Sequence, residues 1–110
     1  MRRLKRSECS VLHLGLKGVW YRRIESGGKS VEFREYKRYW ISRVGNWLRG
    51  DGIKVLEFQN GYGRFSPRMW FVAGSVVSLG NDDPVTRPDQ GEFAKARFAI
   101  GIGERVALSE

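Results

Sequence analysis

A chain of 110 residues with 41% hydrophobic and 13% aromatic content has the size of one globular domain and too many aromatics for a disordered one. No run approaches the roughly 18 apolar residues of a membrane helix. The basic start (Arg2, Arg3, Lys5, Arg6) leads only into a short apolar stretch interrupted by His13, which does not make a signal peptide. The net charge of +8 calls for a polyanionic partner, most often nucleic acid, and gives no reason to expect a membrane partner.

The first ten residues are polar and read as a basic flexible arm, with a single domain over residues 11–110. Residues 11–16 alternate Leu with β-branched and polar residues and predict a strand. Residues 18–26 place Val19, Trp20, Arg23 and Ile24 at helical spacing, and Gly27-Gly28 supplies the glycine stop. A strand follows over 30–36, with Val31 and Phe33 on the face expected to meet a core and Glu32 and Arg34 on the other. Lys29 shares parity with Val31, so it reaches the Glu32 side only if the strand begins after it or is bulged there.

Tyr36, Tyr39, Trp40, Val44, Trp47 and Leu48 then follow the i, i+3, i+4, i+7 pattern of an amphipathic helix, with Lys37, Arg38 and Arg49 off the stripe. Gly50-Asp51-Gly52 is a turn. Residues 53–58 are nearly continuously apolar and predict a strand buried on both sides. Asn60-Gly61-Tyr62-Gly63 is a loop closed by Pro67, and residues 69–78 form a long strand bent at Gly74. A polar loop over 80–91 precedes a last strand over 96–102. The pattern is that of a small α+β protein built around a sheet or barrel.

Charge is uneven along this layout. Residues 1–68 hold 16 Lys/Arg against 6 Asp/Glu, whereas residues 69–110 hold 4 against 6, and ten of the fourteen aromatics fall in the first part. Interleaved cations and aromatic rings suit the phosphates and bases of a nucleotide. One cysteine, Cys9, cannot make an internal disulfide, and with only one histidine, His13, beside it the composition argues against a zinc centre. No metal or other cofactor is expected, and the compartment expected is the reducing cytoplasm.

The most informative stretch is Gly27-Gly28-Lys29-Ser30-Val31-Glu32-Phe33-Arg34, which reads G-x-K-x-x-E-x-R. It brings a cation, a carboxylate and a guanidinium within six positions, and charged side chains beside a core are rarely buried unless paired. With the preceding Leu14-Gly15-Leu16-Lys17, Trp20-Tyr21, Ile24 and Ser26, and with Phe58, Asn60-Gly61-Tyr62-Gly63, Pro67-Arg68 and Phe98-Ala99-Ile100-Gly101-Ile102 downstream, it resembles the ASCH domain family over most of residues 12–102. The resemblance implies a small PUA-like β-barrel of about five to six strands, with two or more short helices flanking a cleft lined by the signature. It also implies binding of RNA or of modified nucleotides. A bacterial subgroup of that family deacylates an acetylated cytidine nucleoside with the motif lysine, a threonine where this chain has Glu32, and a further glutamate in a helical insertion. No carboxylate of this chain, Glu57 included, is singled out in that glutamate's place.

The candidate nucleic-acid-binding residues are Lys17, Lys29, Glu32, Arg34, Tyr36, Lys37, Arg38, Tyr62, Arg64 and Arg68. Lys29 can neutralise a phosphate or donate to a base carbonyl. Glu32 and Arg34 form either a structural ion pair or a reader of a base amino group beside a phosphate contact. Tyr62 and Arg64 combine stacking and charge on a flexible loop. Trp20 reads as core, as do Tyr39, Trp40 and Trp47. A nucleic-acid-binding module, RNA before DNA, is the leading expectation. The alternative is a hydrolase on acylated nucleosides or a ribonuclease, with Lys29 and Glu32 as the acid/base couple. A protein-interaction accessory factor is the third reading. The oligomeric state is not encoded in any recognisable pattern.

Overall fold

The computed structural model describes residues 1–79 and 97–110, so the loop expected over 80–91 and the first residue of the last expected strand lie outside the described residues. Within them the chain runs β1 (Arg2–Lys5), a 3-10 turn (Arg6–Glu8), β2 (Cys9–Leu16), α1 (Gly18–Glu25), β3 (Val31–Glu35), α2 (Arg38–Arg49), β4 (Ile53–Asn60), β5 (Arg68–Leu79) and β6 (Arg97–Ser109). The six strands form one mixed sheet in the order β1-β6-β5-β4-β2, with β3 also paired to β6. Strands β2 and β4 run parallel from Cys9↔Ile53 to Leu16↔Asn60, and their connection carries both helices.

The alternation in β2 sends Leu12, Leu14 and Leu16 to one face, where they pack with Leu56 and Phe58 of β4, Met69 and Phe71 of β5, and Phe98 and Ile100 of β6. Helix α1 covers this layer with Tyr21 and Ile24, and α2 covers it with Val44 and Trp47. Removing water from this apolar surface is the main force holding helices to sheet. A reciprocal pair fixes α2 against the edge of β2: Ser10 Oγ donates to the Trp47 carbonyl at 2.8 Å, and Trp47 Nε1 donates to the Ser10 carbonyl at 2.9 Å. Strand β4 is buried on both faces, as its apolar run predicts. Register shifts between Phe71 and Ala73 and between Ala73 and Val76 interrupt the β5–β6 ladder around Gly74, which packs against Gly101 of β6.

Three expectations are corrected. The sheet is not closed into a barrel: β2 forms one edge, while β3 and β1 line successive halves of the long β6 at the other. Residues 2–5 are not a free arm, because β1 pairs in parallel with Val106 to Ser109, and Ser109 Oγ adds a hydrogen bond to the Leu4 carbonyl. The helical stripes are also narrower than their patterns suggest, since Val19, Tyr36, Tyr39 and Leu48 are exposed. Only the residues of α1 and α2 that point straight at β2 and β4 are sealed.

Candidate functional site

Helix α1 ends at a glycine stop: Gly27 takes a φ of +83°, its N–H donates to the Ile24 carbonyl, and the N–H groups of Gly28 and Lys29 both donate to the Arg23 carbonyl. This tight exit delivers Lys29 to the foot of β3. Because β3 begins only at Val31, Lys29 is free of strand parity and turns to the side of Glu32. Cross-strand partners share a face, so the register Glu32↔Ile100 and Arg34↔Phe98 places both charged residues on the side of the main apolar cluster. That reverses the expected orientation of β3. Phe33 is buried on the opposite face, where it lies under the Arg97 guanidinium.

The three motif side chains converge. Lys29 Nζ stands 3.0 Å from Glu32 Oε1, and Arg34 Nη2 donates to Glu32 Oε2 at 2.6 Å, so each carboxylate oxygen holds one cation. The side chains of Lys29 and Glu32 are 7% and 4% exposed, whereas that of Arg34 is 18% exposed. Two tryptophans wall the cluster. Trp20 of α1 lies 4.8 Å beneath Lys29 Nζ, and Trp40 of α2 lies 4.9 Å beneath the Arg34 guanidinium. Both cations therefore meet the negative face of an indole as well as a carboxylate.

Arg34 also donates to the carbonyl of Gly15 at 3.2 Å, spanning from β3 to β2 where no ladder joins them among the described residues. Its Nε is buried with no hydrogen-bond partner among the described residues. A buried N–H of this kind carries a desolvation cost of about 1–3 kcal/mol until an acceptor reaches it. Two cations on one carboxylate also leave the cluster with an excess positive charge.

The remaining candidates lie on other segments of the chain. Lys17 caps the start of α1 with an exposed side chain, and its carbonyl accepts from the N–H groups of Trp20 and Tyr21. Tyr36 rests a half-exposed ring 5.1 Å from that of Phe98, just past Arg34. Lys37 lies 3.9 Å from Glu35, and Arg38 is exposed at the first residue of α2. Tyr62 and Arg64 lie on the β4–β5 connection, and Arg68 is the first residue of β5. The Tyr62 ring lies so close to Gly15 that a Cβ there would come within 2.7 Å of its Cε1.

Glu57 is not brought to Lys29. It alternates with Leu56 and Phe58, which face the main cluster, and on the opposite face it accepts from Trp70 Nε1 at 2.7 Å and pairs with Arg6 at 3.4 Å. On that same face His13 Nε2 and Gln59 Oε1 are 2.7 Å apart, and Arg68 Nη2 donates to the same Gln59 oxygen at 3.5 Å.

Two members of the site are invisible to the sequence pattern. Trp40 belongs to the apolar stripe of α2, and only the third dimension puts its ring under Arg34. Gly15 contributes a backbone carbonyl, which no side-chain motif encodes. Among the described residues no cluster of His, Cys, Asp and Glu could hold a metal ion, and no helix is long and apolar enough to cross a membrane. No family model, curated protein or solved structure matches the chain.

Proposed function

We propose that this chain is an ASCH-type nucleic-acid-binding module, RNA before DNA, that holds a single-stranded or modified nucleotide against the Lys29–Glu32–Arg34 cluster. The observation that carries the reading is the Arg34 guanidinium. It is fixed by Glu32 and Gly15 and backed by Trp40, yet its Nε–H is left without a partner among the described residues. The Arg34 side chain, the most open of the three at 18% exposed, is where a phosphate or base-carbonyl oxygen meets the excess positive charge. Trp20 and Trp40 offer flanking ring faces, and Lys17, Lys37 and Arg38, exposed at the starts of α1 and α2, add cations that contribute salt-dependent affinity.

Binding is favoured over hydrolysis because Lys29 and Glu32, the available acid/base couple, are paired to each other and nearly sealed, while Arg34 is the most open member. The test is a titration of fluorescent single-stranded RNAs of varied sequence against wild type, Lys29→Ala, Arg34→Ala and Arg34→Lys. Each variant is first checked for a cooperative thermal melt. All three folded variants are expected to bind more weakly, with Arg34→Lys affected despite its retained charge, since lysine cannot reproduce the guanidinium fork. Folded variants that bind the whole set like wild type would remove the cleft from the reading.

A further inference from the structure

Tyr62 and Phe65, on the connection between β4 and β5, are 85% and 89% exposed, the most exposed aromatic side chains of the described residues. Neither ring is needed by the core, and exposing two large rings three positions apart has no folding benefit. The connection that carries them is nonetheless well built. Gly61 N–H donates to the Leu16 carbonyl, Asn60 N–H to the Pro67 carbonyl, Ser66 N–H to the Gly63 carbonyl, and Gln59 Nε2 to the Gly63 carbonyl at 2.6 Å. The rings are thus displayed on an ordered frame, which lowers the entropy lost on binding.

The charge around them has one sign. Arg64 sits 5.4 Å over the Phe65 ring, Arg68 starts β5, and residues 60–68 contain no acidic side chain. The platform meets the cleft only across the edge strand β2, since Tyr62 lies on the face opposite Leu14 and Leu16. Tyr62 packs on Gly15, and the carbonyl of that glycine receives the Arg34 hydrogen bond.

We infer that Tyr62 and Phe65 form a stacking platform for a single strand of nucleic acid, so that the ligand of the cleft is part of a polymer and not a free nucleoside. This rests on the cleft reading above and extends it. One nucleotide occupies the cleft at Arg34. The strand passes Gly15, and neighbouring bases stack on the two rings while Arg64 and Arg68 meet the phosphates. Because every base offers a π face, the platform accepts RNA and DNA strands without strong sequence preference, and discrimination between them is left to the cleft.

The experiment uses the full chain and the double variant Tyr62→Ser/Phe65→Ser, whose exposed positions leave the melting temperature unchanged. Binding of labelled eight-nucleotide single-stranded RNA and DNA is measured by anisotropy, and binding of cytidine monophosphate by calorimetry. The expected result is a loss of roughly ten- to a hundredfold in affinity for both oligonucleotides, with monophosphate binding unchanged. Oligonucleotide affinity within twofold of wild type overturns the platform and leaves the cleft reading standing. A wild-type protein that binds neither oligonucleotide nor monophosphate at low salt overturns both. Self-association of wild type in sedimentation equilibrium that disappears in the double variant, with oligonucleotide binding unaffected, assigns the rings to a second copy of the chain and also overturns the platform.

Discussion

Arg34 donates to the carbonyl of Gly15 at 3.2 Å and so bridges β3 to the free edge of β2. Strands β2 and β3 share no ladder among the described residues, and their separation is occupied by a guanidinium whose second contact, at 2.6 Å, is the buried carboxylate of Glu32. The same side chain therefore helps hold two strands in place and presents the charge offered to a ligand. Structural and functional readings of the motif are not alternatives here, and substitutions must be chosen to separate them.

Glu32→Gln leaves Lys29 and Arg34 facing each other without their shared counter-charge. The expected loss is about 3–5 kcal/mol of unfolding free energy, the usual cost of breaking a buried ion pair from one side. Lys29→Met leaves the Glu32–Arg34 pair intact and places an apolar chain beside Trp20, so its loss is expected to be clearly smaller. Urea denaturation of the two variants decides. Equal stabilities would mean that Glu32 does not hold the cluster together.

Gly27→Ala isolates the role of the helix stop. A Cβ at Gly27 meets nothing within 4 Å, so the substitution adds no clash, yet it forces an alanine to a φ of +83°. The expected cost is about 1–2 kcal/mol, from left-handed backbone alone. An unchanged urea midpoint would show that the exit from α1 adapts, and that Lys29 is not delivered by a fixed turn.

Cys9 carries a pH prediction. Burial, and secondly the Glu8 carboxylate, raise its thiol above the ordinary value, with Arg6 opposing them, and Sγ donates to the Lys5 carbonyl at 3.3 Å. Burial, with Glu25 second and Arg105 opposing, likewise raises the phenol of Tyr21. A raised folded value favours the neutral form. The stabilisation is then complete below the unfolded value and is lost as pH rises through the folded one, on the alkaline side. Iodoacetamide is expected to modify Cys9 more slowly in the native protein than in urea at neutral pH. Equal rates would contradict the partly buried, hydrogen-bonded thiol.

How much of this was legible in the sequence depends on the range of the interaction. Residues 11–16, the glycine stop after α1 and the two-sided burial of β4 rest on local periodicity, and they are found where the pattern puts them. Strand β1 is written in arginines and lysine, with no alternation to reveal it. Its partner is β6, about a hundred residues away, and only the assembled sheet shows the pairing. Tyr39 fits the helical stripe as well as Val44 does, but α2 meets β2 along a narrow seam and leaves Tyr39 outside. The motif correctly grouped Lys29, Glu32 and Arg34. Which face they occupy was not legible, because Val31 and Phe33 looked like the buried side and a charged cluster beneath two helices has no apolar signature. Phe65 carries no signal in the sequence for a similar reason, since a ring in a glycine- and proline-containing loop belongs to no period.

The four tryptophans supply the sharpest test of where a ligand sits, because they divide into two pairs. Trp20 and Trp40 wall the Lys29–Glu32–Arg34 cluster, whereas the indole N–H groups of Trp47 and Trp70 are held by the Ser10 carbonyl and by Glu57. In a titration of nitrogen-15-labelled protein with a short single-stranded RNA, the indole signals of Trp20 and Trp40 and the Arg34 Nε–H signal should shift together. Those of Trp47 and Trp70 should stay in place. Saturating RNA that leaves Trp20, Trp40 and Arg34 unmoved, or that moves only Trp47 or Trp70, would contradict a nucleotide site at Arg34.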